Sequence, residues 1–443
     1  MAAPLSLSGP GPGNRTARGF AGIKMVEVEL SQPLPSVSDD GAYQRAWVLV
    51  RLLTEPIGAC VVDLDPGGLT PDRLAGILWR DLSDAVIRRF EAAGLATPTG
   101  LNGHGLDVAT EKWPFLEARA GALRSAPYIS VVICTYNRPE GVTVSLQHMQ
   151  QQHYPHFEVI VVDNSPRSDE VRAHVASLGN PAFRYVVEPR VGLSRARNTG
   201  VAAASGDIVA FLDDDEEPDA FWLAALAAGF ARGADIGCVT GLILPARLDT
   251  EAQILLEELG GHSKERGFEP AVFSADGPQS PLYPRPPFGA GGNMAFRRAA
   301  LSKIGRFDTA LGAGTPARGA EDTLALTLVM LAGDKIAYEP AAFVRHHHYR
   351  DFAGLARQQQ GYMVGLTAFY AALLRRRPGV LIALVRLLPA AIHYLGAPRS
   401  AAATGVTALP PELSSGRVRG LLSGPAAYLR GIIRNAWTGA RHA

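Results

Sequence analysis

Cysteine is scarce in this 443-residue chain: Cys60, Cys134 and Cys238 lie far apart and are odd in number. That spacing argues against a disulfide framework and against a Cys-based zinc site, and it suits a reducing compartment. The N-terminal stretch "MAAPLSLSGPGPGNRTARGF" lacks the apolar core of a secretory signal. Small, polar and rich in Gly and Pro, it reads as the start of a disordered leader over residues 1–42. The first β-branched run of the central region is followed by "CTYNRPEG", so the G-x-G-x-x-G turn of a dinucleotide-dependent oxidoreductase is missing, and no G-x-x-x-x-G-K-[ST] P-loop occurs. No internal repeat is visible. The apolar run "VLIALVRLLPAAIHYL" (380–395) is interrupted by Arg386, Pro389 and His393 and falls short of the roughly 20 residues that span a bilayer.

What is present is an ordinary globular composition, 47% hydrophobic and 19% charged, in a length that accommodates two or three domains. The net charge of +1 conceals an asymmetry. From Asp351 onward, eleven Arg and no Lys face only Asp351 and Glu412, a net of +9, which leaves −8 on the first 350 residues. A basic tail of this kind marks contact with an anionic surface. With "RRR" at 375–377 in front of it, the 380–395 segment reads either as a buried helix or as an interfacial helix on the inner leaflet. The expected location is the cytoplasm, with peripheral contact at the inner face of the membrane. Near the other end, residues 43–120 read as a small α+β domain of unknown role. It has two short strands around a turn (46–63), a helix (70–95) with Thr70 as its cap, and a linker at 100–107.

From Tyr128 the grain changes. The runs "ISVVICTYN" (129–137), "FEVIVVDNS" (157–165), "FRYVVEP" (183–189) and "DIVAFLDDD" (207–215) alternate with helical stretches, which predicts a mostly parallel sheet covered on both faces. Ligands of such sheets bind beyond the carboxyl ends of the strands. Thr135 to Arg138, Asp163 with Asn164, and Asp213 to Asp215 all fall at such ends and should converge on one crevice.

Five acidic residues run from Asp213 to Glu217. Their mutual repulsion calls for dilution by solvent, for a helix N-terminus near Pro218, or for a cation. If extended geometry persists through the triplet, Asp213 and Asp215 share a side and offer hard oxygen ligands to Mg²⁺ or Mn²⁺. An EF-hand is disfavoured, because its Gly and terminal Glu are missing. Glu321 and Asp322 follow a Gly-rich loop and fit either a helix N-terminus or a carboxylate base on a mobile loop. In an extended segment His346 and His348 face one way, as a pair for a metal or diphosphate, or as ordinary core or surface histidines. Arg195 and Arg197 precede the acidic strand on a helix, placed for phosphate, base or solvent.

Taken in order, "SVVICTYNRP", "FEVIVVDNSP", "GLSRARNTGV" with "ASGDIVAFLDDD", "GGNMAFRRAALSKIGRFD", and "GAEDTLALTLVMLAGDKIAYEP" leading to the histidines resemble the family 2 glycosyltransferases of the GT-A fold. The resemblance covers roughly Ser130 to His348. It implies an α/β domain over 126–350 with the Rossmann-like, mostly parallel sheet of nucleotide-diphospho-sugar transferases, here with the small N-terminal α+β unit and an Arg-rich, mainly helical C-terminal extension (351–443). It also implies a nucleotide-diphosphate sugar donor, a divalent cation (Mn²⁺ or Mg²⁺) and inversion at the anomeric carbon. A glycan, lipid-linked or small-molecule acceptor, in cell-envelope or glycoconjugate biosynthesis, and no nucleic-acid partner are expected.

Carried onto this sequence, the resemblance makes Thr135, Asn137, Asp163, Arg197 and Asp213 nucleotide-binding. Asp213 and Asp215 become metal ligands, completed by His346 or His348. Asp322 becomes the general base, with Glu321 beside it, and Gly291, Gly292 and Asn293 belong to the acceptor or sugar loop. Many relatives have a second Asp where this chain has Asn164. The alternatives are a non-catalytic nucleotide-sugar- or carbohydrate-binding protein on the same scaffold, and a sugar nucleotidyltransferase. The intact Asp-x-Asp and Glu-Asp pairs favour the transferase.

Overall fold

The structure, a computed structural model, describes residues 21–38, 41–108, 113–263, 266–282, 288–396 and 417–439. A three-stranded sheet comes first. In it β1 (Gly22–Glu29) runs parallel to β2 (Tyr43–Leu52), which pairs antiparallel with β3 (Glu55–Asp63). The expected leader is therefore corrected: residues 22–29 are a strand, and only 1–20 and 39–40 of that stretch lie outside the described residues. The physical reason is a short alternation, with Val28 and Leu30 buried and Glu27 and Glu29 turned toward polar partners. Helix α1 (Pro71–Ala92) starts where Thr70 Oγ1 accepts the Arg73 N–H, and it buries Leu74, Leu78, Val86 and Phe90 against that sheet. The expected linker at 100–107 is also tied down, since Leu106 N–H donates to Leu30 O at 2.7 Å.

Helix α2 (Pro114–Ser125) leads into the large sheet, formed among the described residues by nine strands. These are β4 (Ile129–Thr135), β5 (Phe157–Asn164), β6 (Phe183–Glu188), β7 (Ile208–Asp213), β8 (Glu216–Pro218), β9 (Ile236–Pro245), β10 (Ala271–Phe273), β11 (Asn293–Arg297) and β12 (Lys335–His346). Their order is β10-β12-β9-β11-β7-β4-β5-β6, with β8 pairing with β12. The β7-β4-β5-β6 block is all parallel, whereas β11 is antiparallel to both of its neighbours, so the sheet is mixed but mostly parallel, the α/β class expected. Helices α3 (Pro139–Met149), α4 (Glu170–Ser177), α5 (Leu193–Ala203), α6 (Trp222–Ala231), α7 (Glu251–Glu258), α8 (Arg298–Ile304) and α9 (Glu321–Leu331) fill the connections. One face buries Val131, Ile133, Val159 and Leu212 with Leu146, Trp222 and Leu226. The other buries Val132, Ile160, Val209 and Phe211 with Ala196, Leu324 and Phe369. Burial on both faces is why these strands are nearly continuous apolar runs.

The two sheets share a core. Ile23, Trp47 and Leu49 pack with Leu242, Leu244, Tyr338 and Phe343. Buried Arg51 donates from Nη1 to Asp219 Oδ2 at 2.8 Å and to Glu27 Oε1 at 2.6 Å, tying β2 to the segment before α6. On α2, Arg119 pairs with Glu55 and lies 4.3 Å over the Phe221 ring, and Ala122 belongs to the large sheet's core. The expected division at 120–126 thus runs through a helix that binds both units together.

After β12 come α10 (Phe352–Arg376), α11 (Leu381–Gly396) and α12 (Arg417–Gly439). At the crossing of α10 and α12, a Cβ on Gly424 would sit 2.0 Å from Thr367 Oγ1 and 2.5 Å from Val364 O, so only glycine permits this approach. Tyr428 donates to Asp308 Oδ2 at 2.8 Å, and Arg434 donates to Gly314 O at 3.0 Å. Both contacts hold the loop that precedes α9. No described helix is long and apolar enough to cross a membrane.

Candidate active site

Strand register places the site. Thr135 lies opposite Asp163, and Cys134 opposite Asp213, so the carboxyl ends of β4, β5 and β7 are nearly flush. Extended geometry stops at Asp213, Asp214 and Asp215 form a turn, and β8 begins at Glu216. β8 pairs antiparallel with β12, setting Glu216 opposite His346. The turn rather than a continuous strand brings Asp215 to His346, with Asp215 Oδ1 3.6 Å from His346 Nε2.

Two arginines thread the carboxylates. Arg197, 2% exposed, donates to Glu321 Oε1 at 2.7 Å, to Gly291 O at 3.0 Å and to Asp213 Oδ1 at 3.4 Å. Arg138 donates to Asp214 Oδ1 at 2.9 Å and Asp215 Oδ2 at 3.0 Å. Asp214 also accepts from Thr135 Oγ1 at 2.7 Å, which makes it a buried anchor for the turn. Burial, with Asp215 and Asp213 adding to it, pushes the Asp214 carboxyl up to about 7. Burial, followed by Asp322, likewise pushes Glu321 up to about 7 against the pull of Arg197. Burial also raises Asp213, with Asp215 and Asp322 adding to it, and it raises Glu216 well above the usual range, where Asp213 and Asp215 add again. Burial alone would raise Asp215 too, but His346 and Arg138 hold it below the ordinary value. His346 is drawn down by burial to about 4, so its ring is neutral near pH 7.

Asp322, second in α9 after Glu321, accepts the Thr323 N–H on Oδ1 at 2.7 Å. The preceding Ala320 has φ +71, a left-handed backbone that costs an alanine about 1 kcal/mol, and no side chain caps the helix. Gly291 and Gly292 form the floor of the crevice. A Cβ on Gly291 would lie 3.1 Å from Asp322 Oδ2, and one on Gly292 would lie 2.3 Å from Glu216 Oε1.

Asn293, expected beside these glycines in the acceptor loop, is instead fully buried. Its Oδ1 accepts from Trp222 Nε1 at 2.9 Å, and its Nδ2 donates to Leu242 O and Ala342 O. A lone amide inside an apolar strand is the signal of a core hydrogen-bond node. Residues 283–287, just upstream of these glycines, lie outside the described residues. Asp163 is buried and accepts from Tyr185 Oη at 3.0 Å, with burial raising its carboxyl. Asn137 is exposed, at φ +53. Asn164 donates to Glu188 O and Arg190 O and accepts from Gly192 N–H at 2.8 Å. An aspartate there could not make both donations, which explains the asparagine in this chain. Of the histidines, His346 faces Asp215, His347 turns to Glu217 Oε1 at 2.6 Å, and His348 reaches Glu257 Oε1 at 2.8 Å. Sequence reasoning put Arg138 at the crevice but not its pairing with Asp214 and Asp215, and it missed Tyr362 on α10. Tyr362 is 42% exposed, and desolvation by the surrounding chain, then Asp322 and Asp213, raises its hydroxyl; its neighbours Gly361 and Gly365 face Arg318 and Ala320 in the loop before α9, which brings α10 beside the crevice.

A profile of the family described as "Glycosyl transferase family 2" matches residues 130–305. The succinoglycan biosynthesis protein ExoM of Rhizobium meliloti is 31% identical over 237 residues, 52% of this chain and 70% of that protein. A glucosyl-dolichyl phosphate glucuronosyltransferase of Haloferax volcanii is 27% identical over 227 residues, 49% of this chain and 68% of that protein. Among solved structures, the mannosyltransferase PcManGT from Pyrobaculum calidifontis, in complex with GDP-Man and Mn²⁺, aligns with a TM-score of 0.43 at 20% identity, over 73% of this chain and 96% of its own. The sheet and the ordered motifs define a transferase of the GT-A type. The chain belongs to the family 2 glycosyltransferases.

Proposed function

We propose that the chain transfers a sugar, with inversion, from a nucleotide-diphosphate donor to an acceptor hydroxyl. The observation that carries this reading is the gathering of carboxylates in one place: Arg197 donates to both Asp213 and Gly291 O, a Cβ on Gly291 would lie 3.1 Å from Asp322 Oδ2, and the turn after β7 sets Asp215 against His346. Oxygen donors and one neutral imidazole, with more carboxylates than guanidiniums around them, suit a hard divalent ion. Asp213, Asp215 and His346 would hold Mn²⁺ or Mg²⁺. Such an ion, when bound, offsets the negative charge that grows on the diphosphate.

The chain's own residues supply the rest. Thr135, Asn137 and Asp163 bind the nucleotide at the ends of β4 and β5. Arg197 fixes Asp213 and Glu321 in one arrangement, so neither swings as charge redistributes. Asp322 accepts the acceptor's hydroxyl proton while the new bond to the anomeric carbon forms and the bond to the diphosphate oxygen breaks. Glu321 stays paired with Arg197 and takes no part in the proton transfer.

Purified protein should release a nucleoside diphosphate from one of UDP-, dTDP- or GDP-sugars with Mn²⁺, and lose that activity with EDTA or in Asp215→Ala. Silence from all donors, together with no metal-dependent donor binding in calorimetry, would favour a binding scaffold instead.

The acceptor, on this reading, is lipid-linked, as the name of the glucuronosyltransferase relative indicates for that protein. The support within this chain is the outer face of α12, where Leu422 (78% exposed), Leu429, Ile433 and Trp437 (68% exposed) form one stripe at helical spacing. Arg430 and Arg434 border that stripe, and on α11 Leu381, Ile382 and Val385 are exposed as well. An apolar stripe edged by arginines fits an anionic lipid surface, which supports a peripheral position at the inner face of the membrane. Vesicles containing phosphatidylglycerol should carry the protein upward in flotation, neutral vesicles should carry less, and Trp437→Glu with Leu429→Glu should abolish the difference. Equal flotation of wild type and the double variant would sink this part.

A further inference from the structure

We infer that Glu257 and His348 are positioning residues that act through His346: they set its tautomer so that its bare Nε2 faces Asp215. This rests on the reading that Asp215 and His346 hold the divalent ion.

The argument is an accounting of protons along one hydrogen-bonded line. His346 is the last residue of β12, and His348, two residues on, presents its ring beside it. Their Nδ1 atoms are 2.8 Å apart, so one of them must carry a hydrogen and the other a lone pair. Which one is decided at the far end of the line. His348 Nε2 lies 2.8 Å from Glu257 Oε1, and a carboxylate only accepts, so a neutral His348 ring carries its one proton on Nε2 and its Nδ1 is bare. His346 must then donate from Nδ1, and its remaining nitrogen, Nε2, is left without a proton, 3.6 Å from Asp215 Oδ1. A bare nitrogen set against a carboxylate is unfavourable unless a cation lies between them. The arrangement therefore presents a ligand pair and prevents a direct imidazole-to-Asp215 hydrogen bond.

Glu257 is built into its place. It lies in the last turn of α7, its side chain is 10% exposed, and His348's is 1% exposed. The chain turns back over it at Gly261, where φ is +53 and a Cβ would lie 2.4 Å from Glu257 Oε1. Gln253, one turn earlier on α7, donates to His348 O at 3.3 Å, so two contacts from one helix fix the histidine segment. The His262 ring lies 4.3 Å from that of His346 and 5.3 Å from that of His348, covering them.

The same three rings bring nitrogens within 4.8 Å of one another, which raises a separate imidazole-bound ion as a competing reading. Two Nδ1 ligands of one tetrahedral zinc would keep about 3.3 Å between them at the usual Zn–N lengths. The observed 2.8 Å is a hydrogen-bond distance, and it favours the relay.

The test uses the full chain. Outer partners of metal-bound imidazoles are typically worth about 10- to 100-fold in metal affinity. Glu257→Met, similar in size but with no oxygen to accept the His348 Nε2–H, should therefore weaken Mn²⁺ binding in calorimetry by that factor. NMR of the imidazole nitrogens of the unaltered, metal-free protein should show His346 protonated at Nδ1 and His348 at Nε2. An unchanged Mn²⁺ affinity in folded Glu257→Met, or a proton on His346 Nε2, overturns the inference and leaves the metal reading standing. Wild-type protein that binds no Mn²⁺ overturns both. If the variant does not fold, the NMR result decides alone.

Discussion

Asp322→Asn should lower kcat by about 10²- to 10⁴-fold, the usual worth of a positioned general base. The amide keeps an oxygen that can accept the Thr323 N–H, so the start of α9 is preserved and the loss is one of basicity alone. Affinity for the donor and for Mn²⁺ should stay within about threefold of wild type, because the proton is taken from the acceptor and not from the donor. Glu321→Gln separates the two neighbours. Its carbonyl can still accept from Arg197 Nη1, so kcat should fall far less than in Asp322→Asn. Rates for Asp322→Asn within tenfold of wild type, in a donor-consuming assay with a competent acceptor, would reassign the base.

Arg197→Met should be the most destabilising single change in the site. The guanidinium is buried and paired with the buried Glu321, and removing one partner of such a pair typically costs about 3–5 kcal/mol, because the other charge is left alone. Arg197 also rests near the Phe211 and Phe307 rings, 5.7 and 5.8 Å from their centroids, so methionine retains part of the packing. Urea denaturation of Arg197→Met, Glu321→Gln and the double variant should show the double recovering part of the loss, since no isolated charge remains.

The deficit should depend on pH. Glu321 already titrates near 7 with its arginine present, and higher without it, whereas an unfolded glutamate titrates near 4.3. Between those values the native variant binds more protons than the unfolded chain, so its stability falls as pH rises. Wild type loses stability in parallel up to about pH 7, so the deficit should be constant below that and grow only above it, where the variant's Glu321 keeps a proton that the wild type has released. A deficit under 1 kcal/mol at pH 8 would mean that Arg197 is not the counter-charge argued for here.

The parallel strands and the meeting of their carboxyl ends were legible because both follow from local pattern. Apolar runs closed by "CTYN", "DNS" and "DDD" need no knowledge of distant partners. What escaped depends on contacts between remote segments. Arg138 reaches Asp214 and Asp215 from 76 and 77 residues away, and Glu257 meets His348 across 91. No periodicity encodes such pairings. Asn293 was misplaced for a different reason: the glycines before it do line the crevice, but the strand starts at Asn293 and turns that side chain into the core. β1 was absorbed into the leader because its alternating residues lie between a Gly/Pro-rich stretch and the polar turn before β2. Asp213 and Asp215 were expected to share a side through strand alternation, whereas a turn ends the strand at Asp213 and delivers Asp215 to β12.

The core shared by Ile23, Trp47 and Leu49 with Leu242, Leu244, Tyr338 and Phe343 limits how this chain can be dissected. A fragment cut to residues 126–350 would carry the whole family signature and still present a bare apolar flank to water, with Asp219 stripped of Arg51. The N-terminal sheet is thus a wall of the catalytic unit rather than a detachable module, and its loss would be felt first as poor solubility, before any question of chemistry arose.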